Sequence, residues 1–328
     1  METNKKWDVY FYETFKEEER ELRRFLKPEI KAGFTWKTIQ EAKHEQPPAP
    51  VISVRTQSLL PAAWAGSIEA ILSRSTGYNH LLDYLHKTQT EAALGYLPLY
   101  CNRAVAEQAL MLWMSLLRKL PRQIQQFSKF NRDGLSGREC IQKKLLVVGV
   151  GNVGYEVVRI GRGMDMQVKG VDIVRKFDDV EYVEIEKGVQ NADVIVCAMN
   201  LTRKNRGYFN YDLLKKAKRG VIFINIARGE LSPTQDLLRL VEEGHLGSLA
   251  LDVFEEESQL AVHLRGDKMA GHPAVKAALI LARKPNVILT PHNSFNTIES
   301  TRRKSEQSAQ QVDEFLRNGK FIWHIPEE

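Results

Sequence analysis

The sequence predicts an α/β protein with two doubly wound domains, each built around a parallel sheet. Three observations lead to this prediction: the chain has the length of two domains, short buried strands alternate with helical segments in two regions, and a long helical stretch lies between those regions. At 328 residues, the chain is about twice as long as a typical single domain. Its 43% hydrophobic and 27% charged residues are ordinary for a globular protein that buries a core.

The composition argues against several classes of protein. A net charge of +6, from 47 basic and 41 acidic residues, is too small to indicate nucleic-acid binding. The three cysteines and eight histidines lack metal-ligand spacing, and the odd cysteine count favours a reducing compartment. The first twenty residues do not resemble a signal peptide, and the longest apolar stretch, Ala109 to Leu117, is too short to span a bilayer. We therefore expect a cytoplasmic protein without a metal, nucleic-acid or membrane partner.

The first hundred residues predict one sheet and its helices. Apolar runs at 7–12, 51–54 and 70–73 are typical of strands, and the charged stretch at 16–25 is typical of an amphipathic helix. Because helical segments separate the buried strands, neighbouring strands are expected to run parallel.

A helical pattern then continues from Ala104 to about Phe127. It is long and apolar enough to pass through the middle of the molecule. Pro121 is expected to end or kink this helix, because proline cannot donate the backbone hydrogen bond that would continue it.

A second alternating region follows the long helix. A helix is predicted at 237–243, and a charged helix at about 298–318 is expected to return to the first domain. The predicted domains are therefore 1–101 with 297–328, and 102–296. The β-branched runs of this region predict six further buried strands, at 145–149, 166–171, 194–198, 221–225, 248–251 and 287–289.

The sharpest local motif is the turn GVGNVG at 149–154, which follows a predicted strand and opens a helical segment. In this GxGxxG pattern the first glycine permits the tight turn, the second lets the backbone approach a pyrophosphate, and the third lets the helix pack on the strand. The first amides of the helix then face the anion. The motif predicts a dinucleotide-binding Rossmann domain.

Asp172 ends the next predicted strand, shortly after the glycine turn. A carboxylate at this place accepts hydrogen bonds from the adenosine ribose and repels a 2′-phosphate, so it favours NAD over NADP. Arg175 lies three residues later and is a cation that such a phosphate could use. The sequence favours NAD and leaves that alternative open.

Three polar side chains follow three other predicted strands. Arg228 comes after 221–225, Glu257 after 248–251 and His292 after 287–289. Ligands of open α/β sheets bind at the carboxyl ends of the strands, so these three side chains are candidates for the chemistry.

With these residues in view, the chain resembles the D-isomer-specific 2-hydroxyacid dehydrogenase family. The resemblance runs from about Val51 to Phe295 and looks nearest to the D-lactate, D-hydroxyisocaproate and vancomycin-resistance branch. It rests on six segments in the family's order: RSTGYNH (74–80), AVAEQA (104–109), GVGNVG (149–154), NIARGEL (225–231), EEGHLGSLALDVFEEE (242–257) and LTPHNSF (289–295).

The resemblance implies a fold, an activity and an assembly. It implies a Rossmann NAD-binding domain, a smaller flavodoxin-like substrate domain and a cleft between them. The implied reaction is the interconversion of a small 2-keto acid and a D-lactate-like D-2-hydroxy acid by hydride transfer. The family commonly forms dimers through the nucleotide domain and the long helix, so the apolar stretch ALMLWM at 109–114 is expected to be either a homodimer interface or core.

The resemblance also implies roles for the three polar side chains. His292 would be the acid for the ketone oxygen and the base in the reverse direction, because histidine titrates near neutral pH. Glu257 would raise the pKa of His292 and fix its tautomer, although Glu255 and Glu256 are competitors by sequence. Arg228 would bind the substrate carboxylate in a two-pronged way and polarise the carbonyl.

Further contacts follow from matching positions. Asp252 would accept a hydrogen bond from the nicotinamide carboxamide, and Tyr100 is as readily explained as a packing aromatic. The implied cofactor-binding residues are Gly149, Gly151, Asn152, Val153, Gly154, Asp172, Met199, Asn200, Asn205, Ile226, Ala227, Arg228 and Asp252. The implied substrate-binding residues are Arg55, Thr76, Gly77, Tyr100 and Arg228, with the substrate carboxylate on the backbone amides of Thr76 and Gly77.

The chain departs from the family pattern at four places. None of the departures removes a catalytic group, but they leave the cofactor contacts and the substrate open. They are Asn200 for a usual proline, Ser232-Pro233 for a common Val-Asp, Cys101-Asn102 for a frequent Ser-Pro, and Tyr155 for an arginine found in many members.

A second function class stays open from sequence alone. The same scaffold serves transcriptional corepressors, so a regulatory protein that binds NAD is the alternative to an enzyme. The intact set of Arg228, Glu257 and His292 favours the enzyme. The segment 258–282 is expected to form part of the substrate pocket wall, and the sequence names neither the 2-substituent nor the role of that segment.

Overall fold

The chain divides into two compact units. The computed structural model describes residues 6–266 and 271–326; residues 267–270, within the segment 258–282, lie outside the described part, as do 1–5 and 327–328. The first unit comprises 1–101 and 296–328, and the second comprises 102–295. Every strand pair in both sheets is parallel, which confirms the predicted fold class.

The strands and helices alternate along the chain. The strands are β1 (Val9–Phe11), β2 (Ala32–Phe34), β3 (Val51–Val54), β4 (Ala70–Ser73), β5 (Ala93–Gly95), β6 (Lys144–Val148), β7 (Gln167–Val171), β8 (Val194–Cys197), β9 (Val221–Asn225), β10 (Leu246–Leu251) and β11 (Val287–Leu289). The helices are α1 (Lys16–Phe25), α2 (Ile39–Ala42), α3 (Asn79–Thr88), α4 (Asn102–Leu117), α5 (Leu120–Phe127), α6 (Asn152–Gly163), α7 (Ile185–Asn191), α8 (Tyr211–Lys215), α9 (Thr234–Glu242), α10 (Glu257–Leu264), α11 (Pro273–Leu281) and α12 (Ile298–Asn318).

The first unit contains a five-stranded sheet in the order β2-β1-β3-β4-β5. This order is that of flavodoxin-like sheets, as the family resemblance implies. Strands β2 and β5, each three residues long, were not predicted. A Cβ on Gly33 would lie 2.4 Å from the Tyr10 ring, so the glycine is what allows β2 to approach β1.

The second unit contains a six-stranded sheet in the order β11-β10-β9-β8-β6-β7. A parallel bridge between Gly170 and Tyr182 adds one more position outside β7. The chain therefore moves outward in one direction from β6 through β7 and in the other from β8 to β11. Such a reversal next to the first strand is typical of Rossmann sheets, and ligands bind at the point of reversal.

The long helix predicted from Ala104 to Phe127 is instead two helices. The first, α4, ends at Leu117, and Lys119 has a φ of +53°, which breaks the helical path. Pro121 lies in the first turn of α5, where a missing N–H costs nothing, so it begins the second helix and does not end the first.

Buried apolar strands form the core of each unit. Strands β3, β4, β8 and β9 are buried along their whole length, as expected where helices cover both faces of a sheet. Among the described residues, no helix is long and apolar enough to cross a membrane, and no group of three His, Cys, Asp or Glu side chains is placed to hold a metal ion.

A buried ion cluster joins α1, α12 and the end of β4 within the first unit. Glu18 Oε1 accepts hydrogen bonds from Arg74 Nε at 3.0 Å and from Lys304 Nζ at 2.9 Å, and all three side chains are almost completely buried. Arg74 also donates to the Ser53 hydroxyl and to the Tyr12 carbonyl. A carboxylate shared by two buried cations thus fixes α12 against α1.

The cluster shifts the pKa values of its members. Burial alone would raise the pKa of Glu18, but the charges of Lys304 and Arg74 outweigh burial and lower that pKa to about 2. Burial lowers the pKa of Lys304 to about 8, against the opposing attraction of Glu18. The Glu18 carboxylate is therefore charged throughout the physiological range.

Removal of the shared carboxylate is predicted to destabilise the protein strongly. Glu18→Gln leaves Arg74 and Lys304 buried without a counter-charge, so we expect the free energy of unfolding to fall by about 3–5 kcal/mol. Urea denaturation at pH 7 measures the loss. Because the pKa of Glu18 is lower in the folded state than its ordinary 4.5, the wild type should also lose stability as the pH falls from about 4.5 towards 2, and the variant should lack this component.

A matched control is Glu19→Gln on the same helix. Glu19 pairs with Arg23 at the surface, where such pairs contribute less than about 1 kcal/mol. Equal denaturation midpoints for the two variants would show that the buried cluster does not stabilise the fold.

Candidate active site and dinucleotide site

The predicted site residues of the second unit lie on loops at one edge of its sheet. Because all its strands are parallel, the loops that follow β6 to β11 begin at the same edge. These loops carry the glycine turn, the carboxylate after β7 and the three polar side chains predicted for the chemistry.

The glycine turn joins β6 to α6 and leaves no room for side chains at two of its glycines. Gly149 has a φ of +91°, and a Cβ there would lie 2.4 Å from the backbone of Met199. A Cβ on Gly154 would lie 1.9 Å from the carbonyl oxygen of Gly149. The loop after β8 and the first turn of α6 therefore pack directly on the glycine turn and set its shape.

The middle glycine, Gly151, borders open space. A Cβ on Gly151 would meet no atom within 4 Å, so a ligand can approach the backbone there. Gly151 gives α6 no side-chain cap, and the described residues offer no acceptor to the backbone N–H groups of Asn152 and Val153. Free amides at the start of a twelve-residue helix suit a phosphate, so this cradle fits the pyrophosphate of a dinucleotide.

The Asp172 carboxylate is held at the end of β7 by backbone groups. Its Oδ2 accepts from Val150 N at 2.6 Å, and its Oδ1 accepts from Val174 N at 3.0 Å. Each oxygen keeps a lone pair for a further donor such as a ribose hydroxyl. Arg175, the alternative partner for a phosphate, lies 3.5 Å from Glu184 in a largely exposed ion pair.

The loop after β8 is closed by the side chain of Asn205. Its Nδ2 donates to the carbonyl of Asn200 at 2.7 Å, and its Oδ1 accepts from Thr202 N at 2.7 Å. Met199 is half-buried beside the glycine turn, and Asn200 is exposed. Asn205 therefore shapes the loop that presents Met199 and Asn200.

The structure brings His292 and Glu257 together. His292 Nδ1 lies 2.8 Å from Glu257 Oε1, and the two side chains are 27% and 28% exposed. The other two carboxylates of the acidic run have different partners: Glu255 accepts from the first amide of α9, and Glu256 accepts from Gln259. Of the three candidates, Glu257 is the one that contacts the imidazole.

A carboxylate on one imidazole nitrogen determines what the other nitrogen can do. When Nδ1–H of His292 is donated to Glu257, Nε2 is the atom that can exchange a proton with a ligand. The pair can therefore give a proton to an oxygen and take it back.

One buried carboxylate holds the loop that carries His292. Asp252 is 0% exposed and accepts hydrogen bonds from the hydroxyls of Thr290 and Ser294 and from the backbone N–H groups of Asn293 and Ser294. Four donors fill the lone-pair positions of a carboxylate, so a nicotinamide carboxamide would have to displace one of them. Within this loop His292 adopts a φ of +50°, which a residue with a side chain holds only when its surroundings impose it.

Arg228 follows β9 and keeps most of its donors available. Its Nη1 donates to the carbonyl of Ala227 at 2.7 Å, and in the described part of the chain the guanidinium makes no other hydrogen bond. Ile226 is buried and Ala227 is half-buried before it. The remaining N–H groups of Arg228 can take a carboxylate with two parallel hydrogen bonds.

Asn225, the last residue of β9, was not among the predicted site residues. It is completely buried, and its side chain hydrogen-bonds to Ala227, Arg228 and Ser232. The available signal was an amide at the end of the otherwise apolar strand VIFIN. A buried amide at that place must find partners, and the following loop is within its reach.

In the first unit, Thr76 and Gly77 follow β4. The backbone N–H groups of both residues have no acceptor among the residues that the structure describes. The Thr76 hydroxyl instead donates to the carbonyl of Leu97 at 3.2 Å, which fixes the loop. Two free amides on a fixed loop fit the predicted carboxylate contact.

Arg55 and Tyr100 have different surroundings in the same unit. The loop of Arg55 is fixed by Glu13, a buried carboxylate that accepts the backbone N–H groups of residues 55, 57 and 58. The Arg55 guanidinium lies 4.7 Å from the centre of the Phe15 ring. Tyr100 is 4% exposed and burial raises its pKa well above the ordinary value, which is the environment of a packing aromatic.

Comparison with known proteins places this geometry in a family. A family model described as D-isomer specific 2-hydroxyacid dehydrogenase, NAD binding domain, matches residues 110–294. A D-specific alpha-keto acid dehydrogenase of Enterococcus faecalis is 30% identical over 253 residues, which cover 76% of this chain and 76% of that protein. A D-lactate dehydrogenase of Streptococcus agalactiae is 28% identical over 260 residues, 77% of each chain.

Solved structures agree with these relatives. A D-lactate dehydrogenase from Aquifex aeolicus, complexed with NAD and lactic acid, has a TM-score of 0.83 and 26% identity, and the match covers 96% of this chain and 98% of that one. A D-2-hydroxyisocaproate dehydrogenase has a TM-score of 0.82 at 22% identity, over 97% and 99% of the two chains, and shows the same fold. The resemblance drawn from the six sequence segments is thereby confirmed. The chain belongs to the D-isomer-specific 2-hydroxyacid dehydrogenases and is an NAD-dependent enzyme of that family.

Proposed function

We propose that this enzyme interconverts a small 2-keto acid and the corresponding D-2-hydroxy acid, in the manner of a D-lactate dehydrogenase, with His292 as the acid and base. The observation that carries the proposal is the 2.8 Å contact between His292 Nδ1 and Glu257 Oε1 at the carboxyl edge of the NAD-binding sheet. The relatives named for D-lactate and for D-specific alpha-keto acids support the substrate class.

The cofactor residues are proposed from the family resemblance, and the geometry of the second unit supports several of them. NAD, when bound, supplies the hydride acceptor in one direction and the hydride in the other. The amides of Asn152 and Val153 would hold its pyrophosphate, and Asp172 would accept hydrogen bonds from its ribose. Met199, Asn200, Ile226 and Ala227 would border it, with Asn205 fixing the loop that presents the first two. We assign Asp252 to the loop of His292, because that loop already occupies its lone pairs.

Proton transfer is assigned to the free nitrogen of His292. In the reducing direction, Nε2–H of the charged ring gives its proton to the keto oxygen as the hydride reaches carbon. In the reverse direction, neutral Nε2 takes the proton from the hydroxyl group. Glu257 holds Nδ1–H in both directions, so the ring keeps one orientation and one tautomer.

The substrate carboxylate is assigned to donors in fixed places. Arg228 would bind it through two parallel N–H groups and polarise the neighbouring carbonyl. By the family resemblance, the first unit is the substrate domain, and its Arg55, Thr76 and Gly77 are assigned to substrate binding, whereas the buried Tyr100 is assigned to packing. The two free amides after β4 support the assignment of Thr76 and Gly77.

Loss of His292 is predicted to abolish most of the turnover. NADH oxidation is to be followed across a panel of 2-keto acids, and the acid reduced best is then used with His292→Ala. We expect the kcat to fall by a factor of about 10²–10⁴, because the variant has lost its general acid. His86→Ala, at an exposed histidine of the first unit, is the control and should retain the wild-type rate. Clear NADH binding without oxidation by any keto acid would sink the proposal and favour a regulatory NAD-binding protein.

Replacement of Arg228 by lysine tests the carboxylate contact. Arg228→Lys keeps the charge but loses the planar fork, so we expect kcat/KM for the keto acid to fall by about tenfold or more. The dissociation constant for NADH, measured by fluorescence, should change far less. Arg239→Lys, at an exposed arginine of α9, is the matched control. Wild-type kinetics for Arg228→Lys would place the carboxylate site elsewhere.

We also propose that the enzyme is a homodimer. In the stretch ALMLWM at 109–114, Ala109, Leu112 and Trp113 are completely buried and pack in the core, whereas Met111 is 49% exposed. The helix α5 is the better candidate for the interface: Leu120, Ile124 and Phe127 are spaced along one of its faces, and no residue of this helix is buried. The dimers common in the family make a second copy of the chain the expected partner.

Ile124→Asp is predicted to produce a monomer. Ile124 is 68% exposed, so the charge costs the folded monomer little but cannot be buried against a second copy. Sedimentation velocity gives the mass of each species. Ile298→Asp, at an apolar residue of the first unit that is 86% exposed, is the control and should stay dimeric. A monomeric wild type, or a dimeric Ile124→Asp, would refute the proposed interface.

A further inference from the structure

The buried side-chain amide of Asn225 holds the loop that carries Arg228 through three hydrogen bonds. Asn225 Oδ1 accepts from Ala227 N at 2.9 Å, and Asn225 Nδ2 donates to the carbonyl of Arg228 at 2.8 Å and to the hydroxyl of Ser232 at 2.9 Å. These bonds use both N–H groups and one lone pair of the amide. Asn225 is 0% exposed and Ser232 is 2% exposed, so water does not compete for them.

The part of the loop that follows Arg228 is held by close packing against the backbone. A Cβ on Gly229 would lie 1.8 Å from the carbonyl carbon of Phe254, so the backbone after Arg228 rests directly on the chain that follows β10. Ser232 N donates to the carbonyl of Gly229 at 3.0 Å and closes the turn. The backbone before and after Arg228 therefore has very little freedom.

A fixed loop backbone matters for an arginine that binds a carboxylate. Two parallel N–H···O bonds require the guanidinium plane to meet the carboxylate plane, and errors of about 10–20° or 0.5 Å are enough to lose one bond. The guanidinium makes one hydrogen bond in the described part of the chain, to the carbonyl of Ala227. The backbone that Asn225 holds therefore fixes both the starting point of the Arg228 side chain and the carbonyl that its guanidinium contacts.

We infer that Asn225 and Ser232 together are positioning residues for Arg228, acting through the loop backbone and touching neither substrate nor cofactor. The inference rests on the proposed function of Arg228 as the carboxylate ligand. The Ser232 hydroxyl is the third attachment of the Asn225 amide, so the position of Arg228 should depend on this hydroxyl.

The main test compares Asn225→Asp with the wild type. Aspartate has nearly the same shape but lacks both N–H donors, so the bond to the Arg228 carbonyl is lost, whereas the Ser232 hydroxyl can turn and donate to the carboxylate. We expect the KM for the keto acid, and the dissociation constant of the unreactive analogue oxamate from the NADH complex, to rise about 10–100-fold. The dissociation constant for NADH itself should stay within about threefold. If neither the KM for the keto acid nor the dissociation constant of oxamate rises, the inference is overturned.

A milder pair of variants serves if Asn225→Asp does not fold. Ser232→Ala removes only the hydroxyl and should raise the KM several-fold. Ser232→Thr keeps the hydroxyl on a backbone that is already extended and should restore the wild-type KM. Equal KM values for the alanine and threonine variants would show that the hydroxyl does not position Arg228.

A control variant distinguishes the loss of Arg228 positioning from a general loss of stability. Asn286 donates from Nδ2 to the carbonyl of Gly247 at 2.9 Å, near the amino ends of β10 and β11 and away from the candidate site. Asn286→Asp should lower the melting temperature without changing the KM. If the wild type reduces no keto acid at all, the proposed function fails, and the oxamate measurements alone then decide whether Asn225 positions Arg228.

Discussion

The candidate active site depends on one buried carboxylate and its four hydrogen bonds. Asp252 is removed from water at the end of β10, and an ionised carboxylate there is tolerable only with all its lone pairs occupied. The loop at 290–294 supplies all four donors, so this loop has essentially one acceptable conformation. That conformation sets His292 against Glu257. The acid–base pair is thus a consequence of how a charge at a strand end is satisfied.

At the carboxyl ends of the strands in the NAD-binding sheet, some polar groups have hydrogen-bond partners among the described residues and others do not. Asn225 and Asp252 lie at the ends of neighbouring strands and are joined by a backbone hydrogen bond. Their side chains hydrogen-bond to the loops that follow β9 and β11. The amides of Asn152 and Val153, by contrast, have no acceptor in the described chain. Fixed loops after β9 and β11 and open amides after β6 therefore lie along one edge, which is how a sheet can hold a cofactor while its own loops stay fixed.

Much of this organisation could be predicted from the sequence, because it rests on local signals. Strands such as VISV and VIFIN are continuous β-branched runs, and the glycine turn has a spacing that few other structures require. The role of Asp252 could not be predicted, because its donors lie about forty residues along the chain. The break between α4 and α5 was missed for a different reason: the turn depends on a positive φ at Lys119, a residue type that gives no warning of it. Local patterns revealed the elements, and long-range hydrogen bonds decided the details.

The ion cluster of Glu18, Arg74 and Lys304 has a consequence for how the protein is made. Its two partners at residues 18 and 74 leave the ribosome early, whereas the lysine follows more than two hundred residues later. At about 5–20 residues per second, the delay is on the order of 10–50 s. At the end of that interval the nascent first unit still lacks one cation and a covering helix, whereas the second unit has all of its strands. The middle of this chain is therefore ready to fold before its beginning.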